Sequence, residues 1–282
     1  MVAVKRRSFC LMLATVLFLI HLVSAFAVNI PDSNISVDEM KQCLQQREYP
    51  ADYLDSLLEP QIETLYEIIA NDKNARFYRV ENQTASANEN EGSLARGSIP
   101  ASELDYQIAL MLSTIDYGDV QYITKIYVTI TYEWLKLPYF RLDDAIAVNW
   151  DSDILLYVPD SFKEYNYGKT SNSNTWVAYR TISAAAELTQ GGLGTFASLN
   201  LQNATGLRGT VVFQLIPKSG FSMGCVPDGS ATTINAQYVH NKSSFTGASF
   251  GVTDFSVVTN ARRFTDSMSK SSVISYSAMP EI

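Results

Sequence analysis

The chain has few residues of the types that bind transition metals. It contains three cysteines and two histidines in 282 residues. Cys10 and His21 lie near the N-terminus, which leaves Cys43, Cys225 and His240 in the remainder. A structural zinc site takes four nitrogen or sulfur ligands, so the sequence offers too few for one. Cys43 and Cys225 can form one disulfide in an oxidising compartment, or stay as buried free thiols.

Positive charge is also scarce. Lys and Arg number 21 against 29 Asp and Glu, and the formal net charge is −8. Nucleic-acid binding and attachment to anionic membranes both depend on a basic surface. The balance of charge therefore argues against both classes of partner.

Long hydrophobic runs are missing as well. The longest apolar run, FCLMLATVLFLIHLV at residues 9–23, is shorter than the roughly 20 residues that span a bilayer as a helix. Three basic residues precede it and the small-residue sequence SAFA follows, which is typical of a cleaved signal peptide and not of an uncleaved anchor. We expect residues 1–27 to be removed, so that a protein of net charge −11 is secreted without a stable membrane anchor.

Helical signals dominate residues 28–81. Ser36 and Glu39 have the spacing of a capping box, and Pro50 and Pro60 divide the segment into short amphipathic helices. These helices are too small to be stable alone, so we expect their apolar faces to dock on the rest of the protein. Residues 82–102 are rich in Ser, Asn, Glu and Gly and are predicted to be a linker.

The periodicity changes from 3.6 to 2 after this linker. In KIYVTITYEW, residues 125–134, apolar side chains alternate with Thr, Tyr and Glu, which predicts a half-buried antiparallel strand. Eight or nine such segments follow with hardly any helix between them. The sequence therefore predicts a mainly β protein, with an antiparallel β-sandwich or barrel over residues 103–282 and a small N-terminal helical segment.

Two acidic pairs flank one predicted strand. Asp143 and Asp144 precede AIAVNW, and Asp151 and Asp153 follow it. A strand of six residues is roughly 20 Å long, so the two pairs are too far apart for one glycosidase-type site. We interpret them as solvated residues at the ends of the strand and assign no catalytic residue. A calcium site formed by Asp151, Asp153 and Asp160 is the alternative, because hard cations bind clustered oxygen atoms.

One segment matches a catalytic motif. GFSMG at residues 220–224 fits the nucleophile elbow, with Ser222 as the nucleophile. The elbow requires a helix after the serine, and CVPDGS follows instead. We interpret the match as a glycine-rich loop between strands, and His240 as a residue near the end of a strand.

Aromatic side chains are the remaining candidates for binding. The alternation places Tyr132 and Trp134 on the core side of their strand. A ligand-binding patch, for example for stacking on sugars, is expected from residues in or near predicted loops. The candidates are Tyr139, Phe140, Trp150, Tyr165 and Tyr167.

Several longer stretches carry a resemblance. REYPADYLDSLL, ETLYEII, ITYEWLKLPYFRLDDAIAVNWDS and AQYVHNKSSFTGASFGV resemble segments of uncharacterised secreted proteins of Gram-positive bacteria. The resemblance covers most of the chain after residue 27 and implies secretion and a β-rich body. It implies no activity.

Three classes of function follow from these observations. The first is a secreted, non-catalytic β protein that binds a cell-envelope glycan or an extracellular protein. The second is a secreted hydrolase of glycans or esters, which would use Ser222 or the carboxylates of Asp143 and Asp144. The third is a pore-forming or toxin-like protein, suggested by Ser/Thr-rich segments such as TFASLNLQ. None of the three classes requires a cofactor. The one cofactor that the sequence allows is a calcium ion bound by Asp151, Asp153 and Asp160.

Overall fold

The computed structural model describes residues 35–81, 97–219, 222–242, 250–253, 256–259 and 265–279. The helices are α1 (Val37–Gln45), α2 (Ala51–Ser56) and α3 (Glu59–Asn71). The strands are β1 (Ala75–Glu81), β2 (Gly97–Ser98), β3 (Leu104–Tyr117), β4 (Val120–Trp134), β5 (Asp143–Asn149), β6 (Leu155–Tyr157), β7 (Lys163–Thr170), β8 (Ser173–Ile182), β9 (Glu187–Thr189), β10 (Gly192–Ser198), β11 (Ala204–Pro217), β12 (Ser222–Asn241), β13 (Phe250–Thr253), β14 (Ser256–Thr259) and β15 (Thr265–Met279). The predicted fold class, mainly antiparallel β with N-terminal helices, is confirmed. None of the described helices combines the length and the apolar character needed to cross a membrane.

Thirteen of these strands form one hydrogen-bonded sheet that folds over into two facing halves. Half-sheet A has the order β1-β3-β4-β11-β7-β8, with β6 beside the end of β11. Half-sheet B has the order β15-β12-β5-β10-β9, with β2 beside β15. The halves are joined where Tyr122 and Ile123 of β4 pair with Gly224 and Met223 of β12. The fold is therefore a sandwich that is continuous along one corner.

The main hydrophobic core lies between the two halves. It contains side chains from both, including Ile108, Ile130 and Phe213 from half-sheet A and Ile146, Leu193 and Ile234 from half-sheet B. Fully burying each aliphatic side chain contributes about 1.5–3 kcal/mol. This core therefore supplies the main force that holds the halves together.

A helical layer covers the outer face of half-sheet A. α1 begins at the predicted capping box, where the hydroxyl of Ser36 accepts a hydrogen bond from the Glu39 N–H at 3.3 Å. Pro60 lies in the first turn of α3, where its missing N–H has no intrahelical partner to lose. The expected docking of the helices is confirmed by a second apolar cluster, which contains Leu44, Tyr53, Leu54, Ile62, Leu65 and Ile69 together with Ala109, Met111 and Tyr127 of β3 and β4.

The helical layer explains why β4 is buried on both faces. Its sequence predicts a half-buried strand, but Tyr127, Thr129 and Thr131 on the outer face are only 4, 4 and 6% exposed. On the inner face Val128 and Ile130 are fully buried. The prediction of a solvated face was wrong because alternation reports only that the two faces differ in polarity, and not what covers each of them.

The chain enters the sheet earlier than the sequence indicates. Ala75–Glu81, placed in the helical segment by the sequence, forms β1 and pairs with β3. At the end of the predicted linker Ile99 is buried, and its N–H donates to the carbonyl of Ser267 at 3.0 Å. The predicted boundary at residue 81 therefore falls at the end of a strand of half-sheet A. Residues 1–27 and 82–96 lie outside the described residues, so the signal peptide and most of the linker stay predictions.

Side chains connect the edges of the two halves. On one side Arg79 of β1 donates to the carbonyl of Val273 in β15 at 3.4 Å, and the Tyr78 hydroxyl accepts from the N–H of Ser275 at 3.3 Å. A second Tyr-Arg pair does the equivalent on the opposite side. The Tyr179 hydroxyl of β8 donates to the Ser198 carbonyl of β10, and Arg180 donates to the Phe196 carbonyl at 3.2 Å; we call these two Tyr-Arg pairs the edge links.

We expect Ile62→Ala in α3 to lower the free energy of unfolding by about 2–5 kcal/mol, because it leaves a cavity between the helices and half-sheet A. Glu63→Ala, on the exposed side of the same helix, is the control and should change it by less than about 0.5 kcal/mol. Urea unfolding of both variants measures the difference. Equal effects of the two substitutions would show that the helical layer does not stabilise the sheet.

Candidate functional site

A cluster of polar side chains lies inside the core, where β5 begins. Asp144 is the second residue of β5, and the register that pairs Ala145 with Val239 places Asp144 opposite His240 of β12. Asp144 is fully buried and His240 is 5% exposed. Two ionisable residues that the sequence placed near strand ends therefore meet in the interior.

Asp144 accepts hydrogen bonds at both of its carboxylate oxygens. His240 Nδ1 lies 2.9 Å from Oδ1, and the backbone N–H of Asn241 donates to the same oxygen at 3.0 Å. The hydroxyl of Tyr238 donates to Oδ2 at 2.6 Å. The indole N–H of Trp134, in half-sheet A, donates to the Tyr238 oxygen at 3.1 Å, so the cluster links β4, β5 and β12.

A second buried carboxylate links the halves at another point. Glu164 of β7 accepts from the hydroxyl of Thr195 in β10 and from the side-chain amide of Asn166 at 2.8 Å. The Tyr132 hydroxyl in turn donates to the side-chain oxygen Oδ1 of Asn166 at 2.7 Å. Thr195 belongs to half-sheet B, whereas the other three residues belong to half-sheet A.

Burial dominates the electrostatics of both carboxyl groups. It raises the pKa of Asp144 above its ordinary value, and the hydrogen bonds from His240, Tyr238 and the Asn241 N–H oppose this rise without cancelling it. Burial raises the pKa of Glu164 in the same way, against the hydrogen bonds from Thr195 and Asn166. Loss of solvation outweighs the local hydrogen bonds at both sites.

The two buried carboxylates connect strands of the sandwich by hydrogen bonds and leave no oxygen free to hold a substrate. Both oxygens of Asp144 and both oxygens of Glu164 already accept hydrogen bonds from the chain itself. Each acceptor lies in a buried position. The two carboxylates therefore satisfy buried donors on neighbouring strands, as buried polar networks generally do.

The interpretation of Asp144 as a solvated residue was wrong. Asp143 has 58% of its side chain exposed and lies 4.0 Å from Arg180, but Asp144 points inward. The signal was present in the sequence, because Asp144 has the same alternation phase as Ile146 and Val148. His240 likewise shares the phase of Ala236 and Tyr238.

The serine motif does not have the structure of a nucleophile elbow. Ser222 is the first residue of β12, a strand that continues to Asn241, so no helix follows the serine. It pairs with Met279 of β15. Gly220 and Phe221 lie outside the described residues. The expected loop after the serine is therefore a strand, and the helix that the elbow requires is missing.

The five aromatic candidates divide into exposed and buried residues. Tyr139 is 92% exposed and Phe140 is 40% exposed, whereas Trp150 and Tyr167 are only 4% and 1% exposed. Tyr165 is half-buried. Of the five, Tyr139 and Phe140 are therefore the two that offer an exposed ring to a ligand.

The binding role predicted for Trp150 and Tyr167 needs correction. Trp150 continues the core-facing phase of β5 and packs against Phe213, with ring centroids 5.9 Å apart. Tyr165 and Tyr167 lie in strand β7 and not in a loop. Tyr167 pairs with Arg208, whose guanidinium donates to the Ser56 carbonyl of α2, so it lies on the face that the helices cover.

The predicted calcium ligands do not form a recognisable metal site. The Asp151 carboxylate accepts from the N–H of Asp153 at 2.9 Å, which closes a turn after β5. Asp160 has a positive φ of 60° in another turn. Among the described residues, no group of three or more His, Cys, Asp or Glu side chains is placed to hold a metal ion.

Cys43 and Cys225 are free thiols, so the disulfide that the sequence allows is not formed in this structure. Cys43 packs against the cluster under the helices, and Cys225 packs against the core between the halves. Burial raises the pKa of the Cys225 thiol, which favours its protonated form.

The two exposed aromatic rings belong to a well-anchored loop. We call residues 135–141 the aromatic loop. Tyr139 and Phe140 meet edge to face, with ring centroids 5.1 Å apart. The Leu135 N–H donates to the Glu103 carbonyl at 2.9 Å, Leu137 packs against the core, and Arg141 donates to the Ala204 carbonyl at 3.2 Å.

The loop also exposes an aliphatic residue that the sequence analysis did not select. Leu135 follows the last residue of β4 and is 58% exposed. Its chain neighbour Lys136 forms a 3.3 Å ion pair with Glu103. Exposed apolar and aromatic side chains on an anchored loop are features of protein binding surfaces, so this loop is the candidate functional site.

Comparison with known proteins adds little to this description. No protein-family model matches the chain, and no curated protein matches it. Among solved structures, the collagen-binding domain of a Staphylococcus aureus adhesin matches at 9% identity and a TM-score of 0.29, covering 52% of this chain and 87% of that one. The collagen-binding subdomain of the Enterococcus faecalis surface protein ACE matches at 9% identity and 0.27, covering 58% and 99%. AvmM, which catalyses macrocyclization in alchivemycin A biosynthesis, matches at 12% identity and 0.27, covering 60% and 97%. At these TM-scores no binding or catalytic property is transferred to this chain.

We expect Tyr238→Phe to lower the free energy of unfolding by about 1–3 kcal/mol, because it leaves Asp144 and Trp134 each without one buried hydrogen-bond partner. Tyr106→Phe is a matched control. Tyr106 is buried against the Tyr238 ring, but its hydroxyl has no partner in the described structure, so its removal should cost little or stabilise. Thermal and urea unfolding of both variants measures the difference; a larger loss for Tyr106→Phe would contradict the role of the cluster.

We expect Glu164→Gln to change how stability depends on pH. The raised pKa of Glu164 means that the folded state takes up a proton, so the contribution of this group to stability is present below about pH 4.5 and is lost as the pH rises through its folded pKa. The free energy of unfolding of the wild type, relative to the variant, should therefore fall as the pH rises above about 4.5. Urea titrations at several pH values test this, and a difference that grows with pH would contradict it.

Proposed function

We propose that this chain is a secreted, non-catalytic β-sandwich protein that binds an extracellular or cell-envelope partner through the aromatic loop. The observation that carries the proposal is the 92% exposure of Tyr139, next to Phe140, on a loop that is anchored at both ends. The signal-peptide pattern of residues 1–27 supports its placement outside the cell.

The physical properties of the loop favour binding. An exposed tyrosine ring offers a large apolar surface and loses little conformational entropy when it is buried, which is why such rings are frequent hot spots. The anchoring contacts of Leu135, Leu137 and Arg141 reduce the entropy that the loop loses on binding. The rings can stack on the apolar face of a sugar or pack against side chains of a protein.

The buried carboxylates support a non-catalytic function. A general acid or base must come within hydrogen-bond reach of a reacting group. Asp144 and Glu164 are enclosed by their own strands and hold structural hydrogen bonds at both oxygens. Ser222, the serine of the matched motif, lies at the start of strand β12 and not in a strand–helix turn.

We expect Tyr139→Ala to weaken binding to isolated cell envelopes or extracellular matrix by about tenfold, which corresponds to the loss of about 1.4 kcal/mol from a hot-spot ring. Labelled wild-type and variant proteins can be compared in a pull-down titration. Phe140→Ala should act in the same direction, with a smaller effect because less of its ring is exposed.

Tyr117→Ala is the matched control for this experiment. Tyr117 is 62% exposed and also meets a neighbouring ring edge to face, that of Tyr122. It is the last residue of β3, next to the turn that leads into β4, whereas the aromatic loop follows the end of β4, roughly 45 Å away along a fifteen-residue strand. Equal losses for Tyr117→Ala and Tyr139→Ala, or unchanged binding by Tyr139→Ala, would show that the aromatic loop is not the binding site.

A further inference from the structure

A cleft lies between the C-terminal half of α3 and the outer face of half-sheet A. Its volume is about 130 Å³. We call it the helix–sheet cleft, and the residues that matter for its chemistry are Glu67, Ile68 and Asn71 of α3, Lys163 of β7, and Val212 and Gln214 of β11. None of them belongs to the aromatic loop, so the cleft is a separate feature of the protein.

Fixed contacts hold both walls of the helix–sheet cleft. Asp72, directly after α3, accepts hydrogen bonds from the hydroxyl of Tyr127 at 2.8 Å and from the hydroxyl of Ser113 at 3.0 Å. Just before β7, the hydroxyl of Ser161 accepts from the backbone N–H of Gln214 at 3.0 Å. The chain itself therefore positions the walls before any ligand binds, which lowers the entropy lost on binding.

The volume of the cleft limits the size of its ligand. Pockets for drug-sized molecules typically measure about 300–1,000 Å³. At about 130 Å³ this cleft holds one small unit and not an oligosaccharide or a peptide. Part of its wall is apolar, formed by the half-buried Ile68 and the buried Val212. A few polar groups beside apolar surface are typical of sites for small molecules.

Polar side chains of the cleft offer both hydrogen-bond donors and acceptors. Lys163 Nζ and the Glu67 carboxylate, both half-exposed, lie 3.4 Å apart. The Asn71 side-chain amide donates to the Glu67 backbone carbonyl at 2.8 Å, which leaves its own oxygen to accept. The side-chain amide of Gln214 makes no hydrogen bond within the part of the chain that the structure describes. Hydroxyl groups both donate and accept, so they match this mixed set.

The charges of the cleft favour a neutral ligand. Lys163 and Glu67 are the two charged side chains among its described lining residues, and they are opposite in sign. A charged ligand would pair with one of them and leave the other without its counter-ion. A neutral ligand can form hydrogen bonds with both, so the pair selects against ligands of either charge.

We propose that the helix–sheet cleft binds one neutral sugar unit, with its hydroxyl groups hydrogen-bonded to Lys163, Glu67 and Gln214. A sugar ring combines an apolar face of C–H groups, which suits Ile68 and Val212, with hydroxyls along its rim. The inference goes beyond the proposed function, because it assigns a second site with a ligand class of its own.

The experiment titrates the whole protein with single sugars. The probes are the methyl glycosides of glucose, galactose, mannose and N-acetylglucosamine. Glucuronic acid, which is an anion, and free alanine, which is a zwitterion, are the charged comparisons. Amide chemical shifts of the ¹⁵N-labelled protein report both the affinity and the place of binding.

We expect at least one neutral glycoside to bind with a dissociation constant in the millimolar range and to shift amide signals in residues 64–71, 161–163 and 212–214. Gln214→Ala and Lys163→Ala should each weaken binding by about three- to tenfold, because each removes one hydrogen bond. Lys41→Ala is the matched control and should bind like the wild type. Lys41 also forms an ion pair in the helical layer, 2.7 Å from Asp55, but does not line the cleft.

Three results would overturn the proposal: no shift at the cleft with any of the neutral glycosides, tighter binding of glucuronic acid or alanine, or equal effects of Gln214→Ala and Lys41→Ala. The outcome is separable from the proposed function, because Tyr139→Ala should leave sugar binding unchanged. Loss of sugar binding in Tyr139→Ala would place the sugar at the aromatic loop and refute the cleft. Loss of envelope binding in Tyr139→Ala, with no sugar bound by the wild type, would likewise refute the cleft alone.

Discussion

The buried carboxylate of Asp144 is the interaction on which the sandwich most depends at the end where β5 begins. It holds β5 to β12 through Tyr238, His240 and the N–H of Asn241, and Tyr238 extends the contact to Trp134 in the opposite half. Removing one partner from a buried charged group generally costs more than the group contributes when it is fully paired. The identities of these partners are therefore tightly constrained by the buried carboxylate that they surround.

Because the space between the halves of the sandwich is filled, the exposed candidate groups lie at its periphery. The interior between the halves is filled by apolar side chains and by the hydrogen bonds of Asp144 and Glu164. The helical layer covers the outer face of half-sheet A, so the exposed functional candidates are the aromatic loop and the helix–sheet cleft beside α3. The aromatic loop is anchored through Arg141 to Ala204, which pairs with Thr170 beside the turn that joins β7 and β8.

The sequence predicted local features well and solvent exposure poorly. The strand β4 and the capping box of α1 depend on nearby residues, and both were confirmed. The period-2 alternation places Asp144 on the same face as Ile146 and Val148 and so indicated burial, whereas its charge indicated exposure to solvent. The burial of Tyr167 was not readable, because no local pattern shows which face of a strand a distant helix covers. Leu135 gave no signal that separated it from a core leucine.

The continuity of the two halves through β4 has a mechanical consequence. β4 pairs with β3 along its length and with β11 and β12 on its other side, so it is the shared strand of the whole sheet. Hydrogen bonds in an antiparallel ladder run perpendicular to the strands. A force applied to β8 parallel to the strands therefore shears the ladders that connect β8 to β7, β7 to β11 and β11 to β4. In each ladder many hydrogen bonds share the load at the same time. The sheet is therefore mechanically strongest when it is loaded along its strands.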